Sequence, residues 1–308
     1  STLIFSIFWM PDQVRHDVPG TFYAFISIGF DDNSANHSGK VFIMSLPATM
    51  IDSHVHLDLI VRHHPHRIQW LMDKGCGVVS WAYFEGVQSV SHLKECFEAK
   101  ARCIHEQSAS GLRCHFLVGV HPRSIPPDLK PEQVKGLLEA HLQDPLCLGI
   151  GEIGLETGNA QEKEVLLAQL ELGRSLITRG AVVGVHTPRS NKPAITQTTL
   201  DMLRGFSDLA DTLVVDHCTD DTIGAVLDAG FWAGVTLSTV KTSWDGLKQI
   251  VADEAKRIER IMVNTDSGTE FFEDLVRGRQ NEDFPENIRE RLFKGTAAQF
   301  FAFPDRMG

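Results

Sequence analysis

Met50-Ile51-Asp52-Ser53-His54-Val55-His56 reads as a short apolar strand that runs out into two histidines, and the rest of the chain repeats that design. Successive side chains of a strand face opposite ways, so residues i and i+2 share a face. His54 and His56 can therefore aim at one point while Val55 faces the other side. Outward from this stretch, short β-branched runs recur at residues 50–53, 77–83, 115–120, 147–151, 181–185, 212–216, 231–236 and 260–265. Helical patterns lie between them at 90–105, 131–142, 161–179, 195–206, 220–229 and 243–256, with a last one at 286–301. Eight strand-helix alternations predict an α/β fold, a TIM (β/α)8 barrel over residues 50–308, an architecture that takes about 250 residues. A doubly wound open sheet is the alternative, but no G-x-G-x-x-G or P-loop follows any strand. Residues 1–49 carry none of these patterns and are expected to be an N-terminal extension, poorly ordered or loosely packed.

Histidines and carboxylates collect at one end of the strands. His54 and His56 follow the first, His121 the third, Glu152 the fourth, His186 the fifth, His217 the sixth and Asp266 the eighth. In a barrel these positions fall on the C-terminal face, where the loops build the active site. Imidazole nitrogen with carboxylate oxygen suits Zn, Mn, Fe, Co or Ni. Four His, one Glu and one Asp exceed the ligand count of one tetrahedral ion, so two divalent ions sharing a carboxylate are expected. Such a pair polarises a phosphoryl or carbonyl oxygen and lowers the pKa of bound water, which makes hydrolysis the natural reaction class. Each signal alone has an ordinary reading: H-x-H arises by chance, Glu152 could be a loop acid, and His186 or Asp266 could be a buried His or a helix cap. Their conjunction on one face is what argues for a metal centre.

Composition narrows the rest. The 308 residues are 43% hydrophobic and 22% charged, as in a soluble globular protein, with a formal net charge of −11. That charge offers nucleic acid no general attraction, so a polyanion would need a local basic patch or metal ions. Arg123, Arg189, Lys192 and Lys241, all in strand-end loops, could form one; solvated loop cations are the equal alternative. Trp232 and Trp244 could stack a base but fit the core better. Six cysteines without a CxxC pair suit a reducing compartment, and a cytoplasmic protein is expected. No apolar run approaches a membrane span, and no obligate protein partner is evident. Arg62-His63-His64-Pro65-His66-Arg67 reads as a solvated loop, and Cys218 as a thiol packed into the barrel wall. Glu156 and Asp58 are either partners that orient ligands or plain loop acids.

The series Ile51-Asp52-Ser53-His54-Val55-His56-Leu57-Asp58, Gly119-Val120-His121-Pro122, Gly151-Glu152-Ile153-Gly154-Leu155-Glu156, Val185-His186-Thr187, Asp216-His217-Cys218 and Thr265-Asp266-Ser267 resembles the ordered motifs of TatD-type metal-dependent hydrolases in the amidohydrolase superfamily. The resemblance covers residues 50–308. It implies a binuclear centre of Mg, Zn, Mn or Ni in which His54, His56 and Asp266 hold one ion, His186 and His217 the other, and Glu152 bridges. It also implies Asp266 as general base, His121 as a substrate contact, and a deoxyribonuclease of the 3′ to 5′ exonuclease type as the activity; the loop cations Arg123, beside His121, and Arg189, after His186, are the expected phosphate contacts. The expected partners are then DNA ends or a small phosphodiester. The alternative is hydrolysis of a small amide, ester or lactone by the same centre; a non-catalytic metal-dependent binding module is the reading outside enzymes. The chain departs from the family at Asn264, where an acid is common, at Gly268, at Pro188-Arg189 and at Thr219. These positions are expected near the substrate, which leaves the metal chemistry better supported than the DNA substrate.

Overall fold

The structure is a computed structural model that describes residues 48–303. Of the expected extension at residues 1–49, all but Ala48 and Thr49 lie outside the described residues. Eight strands follow: β1 (Met50–Val55), β2 (Cys76–Ser80), β3 (Cys114–Val118), β4 (Cys147–Gly154), β5 (Val182–His186), β6 (Leu213–Val215), β7 (Trp232–Thr236) and β8 (Ile261–Asn264). They pair in parallel and in sequence order. The mouth closes where Val55 bridges Ser267, the His56 N–H donating to Ser267 O at 2.7 Å and the Asp266 N–H to His54 O at 3.0 Å. The fold is the TIM barrel that the alternation predicts.

Period-2 patterning sorts the strand side chains into two apolar layers. Val78, Val118, Ile150, Val183, Val215 and Val263 pack outward against the helices. Ile51, Val79, Leu117, Val182, Val214 and Met262 fill the interior. The interior layer ends on Phe300, Phe301 and Phe303, which follow from the helix Thr296–Phe300 and plug the end opposite the histidines. With that end sealed by aromatic side chains, only the C-terminal mouth is left for a polar site.

Three expectations about local structure change. Residues 62–67 are not a loop: they span the end of helix Leu57–His63 and the start of helix His66–Asp73. Pro65 disfavours helical geometry at His64 and so breaks the two apart. The single helix expected at 286–301 is interrupted by a wide turn at Arg291–Gly295. The one expected at 131–142 shrinks to Val134–Leu138 between tighter 3₁₀ turns. Helix Asp274–Gln280 had no legible period. No helix among the described residues is long and apolar enough to cross a membrane.

Candidate metal centre

The barrel brings His54, His56, Glu152, His186, His217 and Asp266 together at its C-terminal mouth. Glu152 depends on the glycines around it. Gly149 has φ +156°, and a Cβ there would stand 2.0 Å from Val182 O, so only glycine lets β4 lie this close to β5. The β4–β5 ladder loses register between Ile150 and Ile153, and Glu152 sits within that irregularity. His217 (φ 59°) and Asp266 (φ 54°) take left-handed backbone just past β6 and β8. Such conformations cost about 1–3 kcal/mol in a non-glycine residue and concentrate at functional sites.

Hydrogen bonds fix which ring nitrogen of each histidine faces the centre. His56 Nδ1 lies 3.1 Å from Trp81 O, a carbonyl that can only accept, so Nδ1 carries a proton and Nε2 is the nitrogen that faces Asp266 Oδ1, at 3.0 Å. His54 Nδ1 donates to Asp216 Oδ2 at 2.5 Å, and the ring stacks on Trp81 with centroids 4.1 Å apart. Its Nε2 is buried without a hydrogen-bond partner, although Glu152 Oε2 is 3.3 Å away. His217 Nε2 and His186 Nδ1 face Glu152 Oε1 at 3.2 and 2.8 Å. On its other side His186 Nε2 meets Glu156 Oε2 at 3.0 Å. Ring nitrogens and carboxylate oxygens thus converge in a buried space, a donor set that could hold a divalent cation.

The electrostatics agree. Burial works against charge on His54, but the carboxylates of Glu152 and Asp216 outweigh it and lift the imidazole to about 10. Burial would raise Glu152, yet His54 and His121 hold it well below the ordinary carboxylate range. Asp266 is likewise held low, against burial, chiefly by Lys241 and His56. His217 is pushed down to about 3 by burial and by the nearby ammonium of Lys241, so its ring is neutral. The site calls for positive charge, and Lys241 Nζ already supplies some by pairing with Asp266 Oδ2.

A cavity of about 530 Å³ opens over these groups. Arg123, Arg189, Lys192 and Lys241 all line it, so the cations noted in sequence gather around one opening. Arg123 lies over the ring of Tyr83, 4.9 Å from its centroid, and within 3.8 Å of Glu156. His121 is placed differently from the other expected substrate contacts. It is 1% exposed, edge-on beneath Tyr83 at 5.0 Å, and does not line the cavity. Its Nδ1 accepts the Arg123 N–H at 3.0 Å; burial pushes the ring down to about 4, so it is neutral and its Nε2 proton points at Glu152 Oε1, 3.6 Å away.

Other readings resolve as well. Glu156 contacts His186, whereas Asp58 pairs with the buried Lys100 at 2.7 Å, away from the centre. Cys218 is buried in the outer apolar layer. Trp232 belongs to the interior core, and Trp244 packs on Phe284 and Phe293. Of the departures from the family pattern, Asn264 is not near the cavity surface: it is 1% exposed and bonds Asp216. The sequence reading passed over Tyr83 and Trp81, although each follows β2 and so lies at the same mouth; strand-end position alone could have found them.

The sequence signature of TatD related DNases matches residues 51–292. A TatD-like protein from Archaeoglobus fulgidus is 28% identical, with a TM-score of 0.65 over 82% of this chain and 99% of that one. A TatD homologue from Escherichia coli K12 is 18% identical with a TM-score of 0.58, covering 83% of this chain and 98% of its own. The β-aspartyl dipeptidase of Fervidobacterium islandicum is 14% identical with a TM-score of 0.59, covering 83% and 75%. At the last two identities the likeness concerns the fold alone. No curated protein matches the chain.

Proposed function

The chain belongs to the TatD related DNase family, and from that premise we propose that it is a divalent-metal-dependent hydrolase acting on phosphodiester bonds at DNA ends, in the 3′ to 5′ sense. The observation that carries the metal chemistry is the buried His54 Nε2, without a hydrogen-bond partner amid the ring nitrogens and carboxylate oxygens of the centre. In this reading His54, His56 and Asp266 would hold one ion, His186 and His217 a second, and Glu152 would be shared between them. Ions held there supply Lewis acidity to the scissile group and acidify water.

The chain's own residues do the remainder. The Asp266 side chain is 17% exposed where that of Glu152 is 3%, so of the two carboxylates Asp266 is the more open to the cavity and the one that takes the proton of the attacking water. Arg123 and Arg189 present guanidinium donors to the phosphate. Tyr83 and Glu156 hold Arg123 over the opening. Glu156 also fixes the ring of His186, and it is itself carried on a loop whose backbone N–H groups at Glu156, Thr157 and Gly158 donate to Glu162 at 2.8–2.9 Å. His121 faces Glu152 from below, 3.6 Å away, and stays out of contact with substrate. The cavity's size suits a strand end of one or two nucleotides rather than a duplex. A cytoplasmic setting fits the six free thiols.

The test is a metal-defined assay of wild type and Asp266→Asn on 3′-ended single-stranded DNA, small phosphodiesters, and small amides, esters and lactones. Turnover of DNA ends by wild type and its loss in Asp266→Asn is the expected result. Turnover confined to amides, esters or lactones would replace the substrate and keep the centre, and no turnover on any of them would leave a metal-dependent binding module.

A further inference from the structure

We propose that Asn264, where the family commonly has an acid, is a positioning residue that sets the imidazole tautomers of His54 and His217 together, through Asp216 on one side and Thr236 on the other. This rests on the reading of both histidines as ligands.

The relay is continuous and dry. Asn264 Nδ2 donates to Asp216 Oδ1 at 2.8 Å and lies 3.1 Å from Oδ2, and Asp216 Oδ2 receives His54 Nδ1–H. On the other side Thr236 Oγ1 donates to Asn264 Oδ1 at 2.9 Å and lies 2.7 Å from His217 Nδ1. Asn264, Asp216 and Thr236 are each 1% exposed, so the bonds between them run through buried side chains.

Donor logic leaves one arrangement. Two donors converge on Asp216, the Asn264 amide nitrogen on both oxygens and His54 Nδ1 on Oδ2, so its oxygens accept. Asn264 must turn its NH₂ toward them, which leaves its carbonyl facing Thr236. The Thr236 hydroxyl has a single proton and gives it to that carbonyl. Its oxygen then presents lone pairs to His217, whose Nδ1 must carry the proton. Both Nε2 atoms, the nitrogens left for an ion, thereby face Glu152, 3.3 Å away from His54 and 3.2 Å from His217. Lys241 Nζ does not compete for His217 Nδ1: at 3.0 Å from Nδ1 and 3.5 Å from Nε2 it is near both nitrogens at once and so lies along neither lone pair.

Only a group that donates on one side and accepts on the other can sit at position 264. A carboxylate there would face Asp216 across hydrogen-bond distance, where two acids in a dry site cannot both ionise. Gly234 completes the fit. A Cβ at that position would stand 2.1 Å from Asp216 Oδ1, so a glycine is required for the Asp216 carboxylate to lie over β7.

The experiment uses the full chain and the near-isosteric variants Asn264→Leu and Thr236→Val, with Thr236→Ser as the conservative control. The readouts are manganese or zinc binding by calorimetry and the tautomer of His217 by long-range ¹H–¹⁵N NMR on metal-free protein. Asn264→Leu and Thr236→Val should each weaken ion binding about 10- to 100-fold, as loss of such supporting bonds does elsewhere. Each should also shift His217 away from its Nδ1–H form, and Thr236→Ser should restore both. Wild-type tautomer and wild-type affinity in either folded variant would overturn the proposal. If Asn264→Leu does not fold, the Thr236→Val and Thr236→Ser pair decides. If wild type takes up no divalent ion, the ligand reading fails, and the tautomer measurement still tests the relay.

Discussion

At the residue scale, the side chains that face the centre were legible because strand ends in a barrel share a mouth, so position alone gathers His54, His56, Glu152, His186, His217 and Asp266. Their supports were not. Asn264 stands 48 positions from Asp216, and no spacing rule joins them; only the barrel, with β6 and β8 on either side of β7, brings the amide to the carboxylate. His121 shows the same limit: its strand end puts it near the centre, while its depth under Tyr83 was invisible. Two predictions belong here. Glu152→Ala removes the carboxylate that the imidazoles share, so divalent-ion affinity by calorimetry should fall by more than about 100-fold, beyond what an outer partner costs. Asp266→Asn should keep the circular-dichroism spectrum and melting point of wild type and lower kcat by about 10²- to 10⁴-fold, the usual worth of a general base; an unchanged kcat would remove Asp266 from that role.

At the element scale, the long strands and helices announced themselves by period, and the short ones did not. Helices Leu57–His63 and His66–Asp73 are seven and eight residues long, too brief for a 3.6-residue period to stand out from a run of histidines. β4 was read to Gly151 and extends to Gly154, because glycines that look like a loop in sequence instead let the strand lie against β5. Gly149→Ala tests that view. The new methyl would meet Val182 O at 2.0 Å, so β4 must move from β5. A loss of about 2–4 kcal/mol in urea denaturation is expected, in the range of strained or overpacked positions, accompanied by weaker ion binding because Glu152 moves with the strand.

At the scale of the whole molecule, the acidic chain and its cationic cavity pull in opposite directions. With a net charge of −11 and only Arg123, Arg189, Lys192 and Lys241 around the opening, the protein can neutralise few phosphates. The logarithm of affinity for single-stranded DNA should therefore fall against log salt with a slope no steeper than about −3, from four cations at roughly 0.7 each. A steeper slope would mean a basic track beyond the cavity. Ion binding should also stabilise the fold as a whole, since the proposed ligands come from β1, β4, β5, the turns after β6 and β8, and no one segment. At an ion concentration of about 100 Kd the gain is about 2.7 kcal/mol, roughly 5–10 °C in Tm for a domain of this size, and EDTA should reverse it. A Tm indifferent to both would argue that no such centre assembles.

The sequence by itself determined the barrel and which face of it carries the chemistry, because hydrophobic period and strand-end position are local properties of the chain. It also pointed to the family and to the six side chains that converge. Tertiary structure decided what each of them can do. Whether a ring nitrogen offers a lone pair or a proton depends on the group across from it, and those groups, Trp81 for His56, Asp216 for His54 and Thr236 for His217, arrive from other strands. Asn264 reads as a departure in the sequence, and in the folded barrel it is the one side chain that bonds both Asp216 and Thr236.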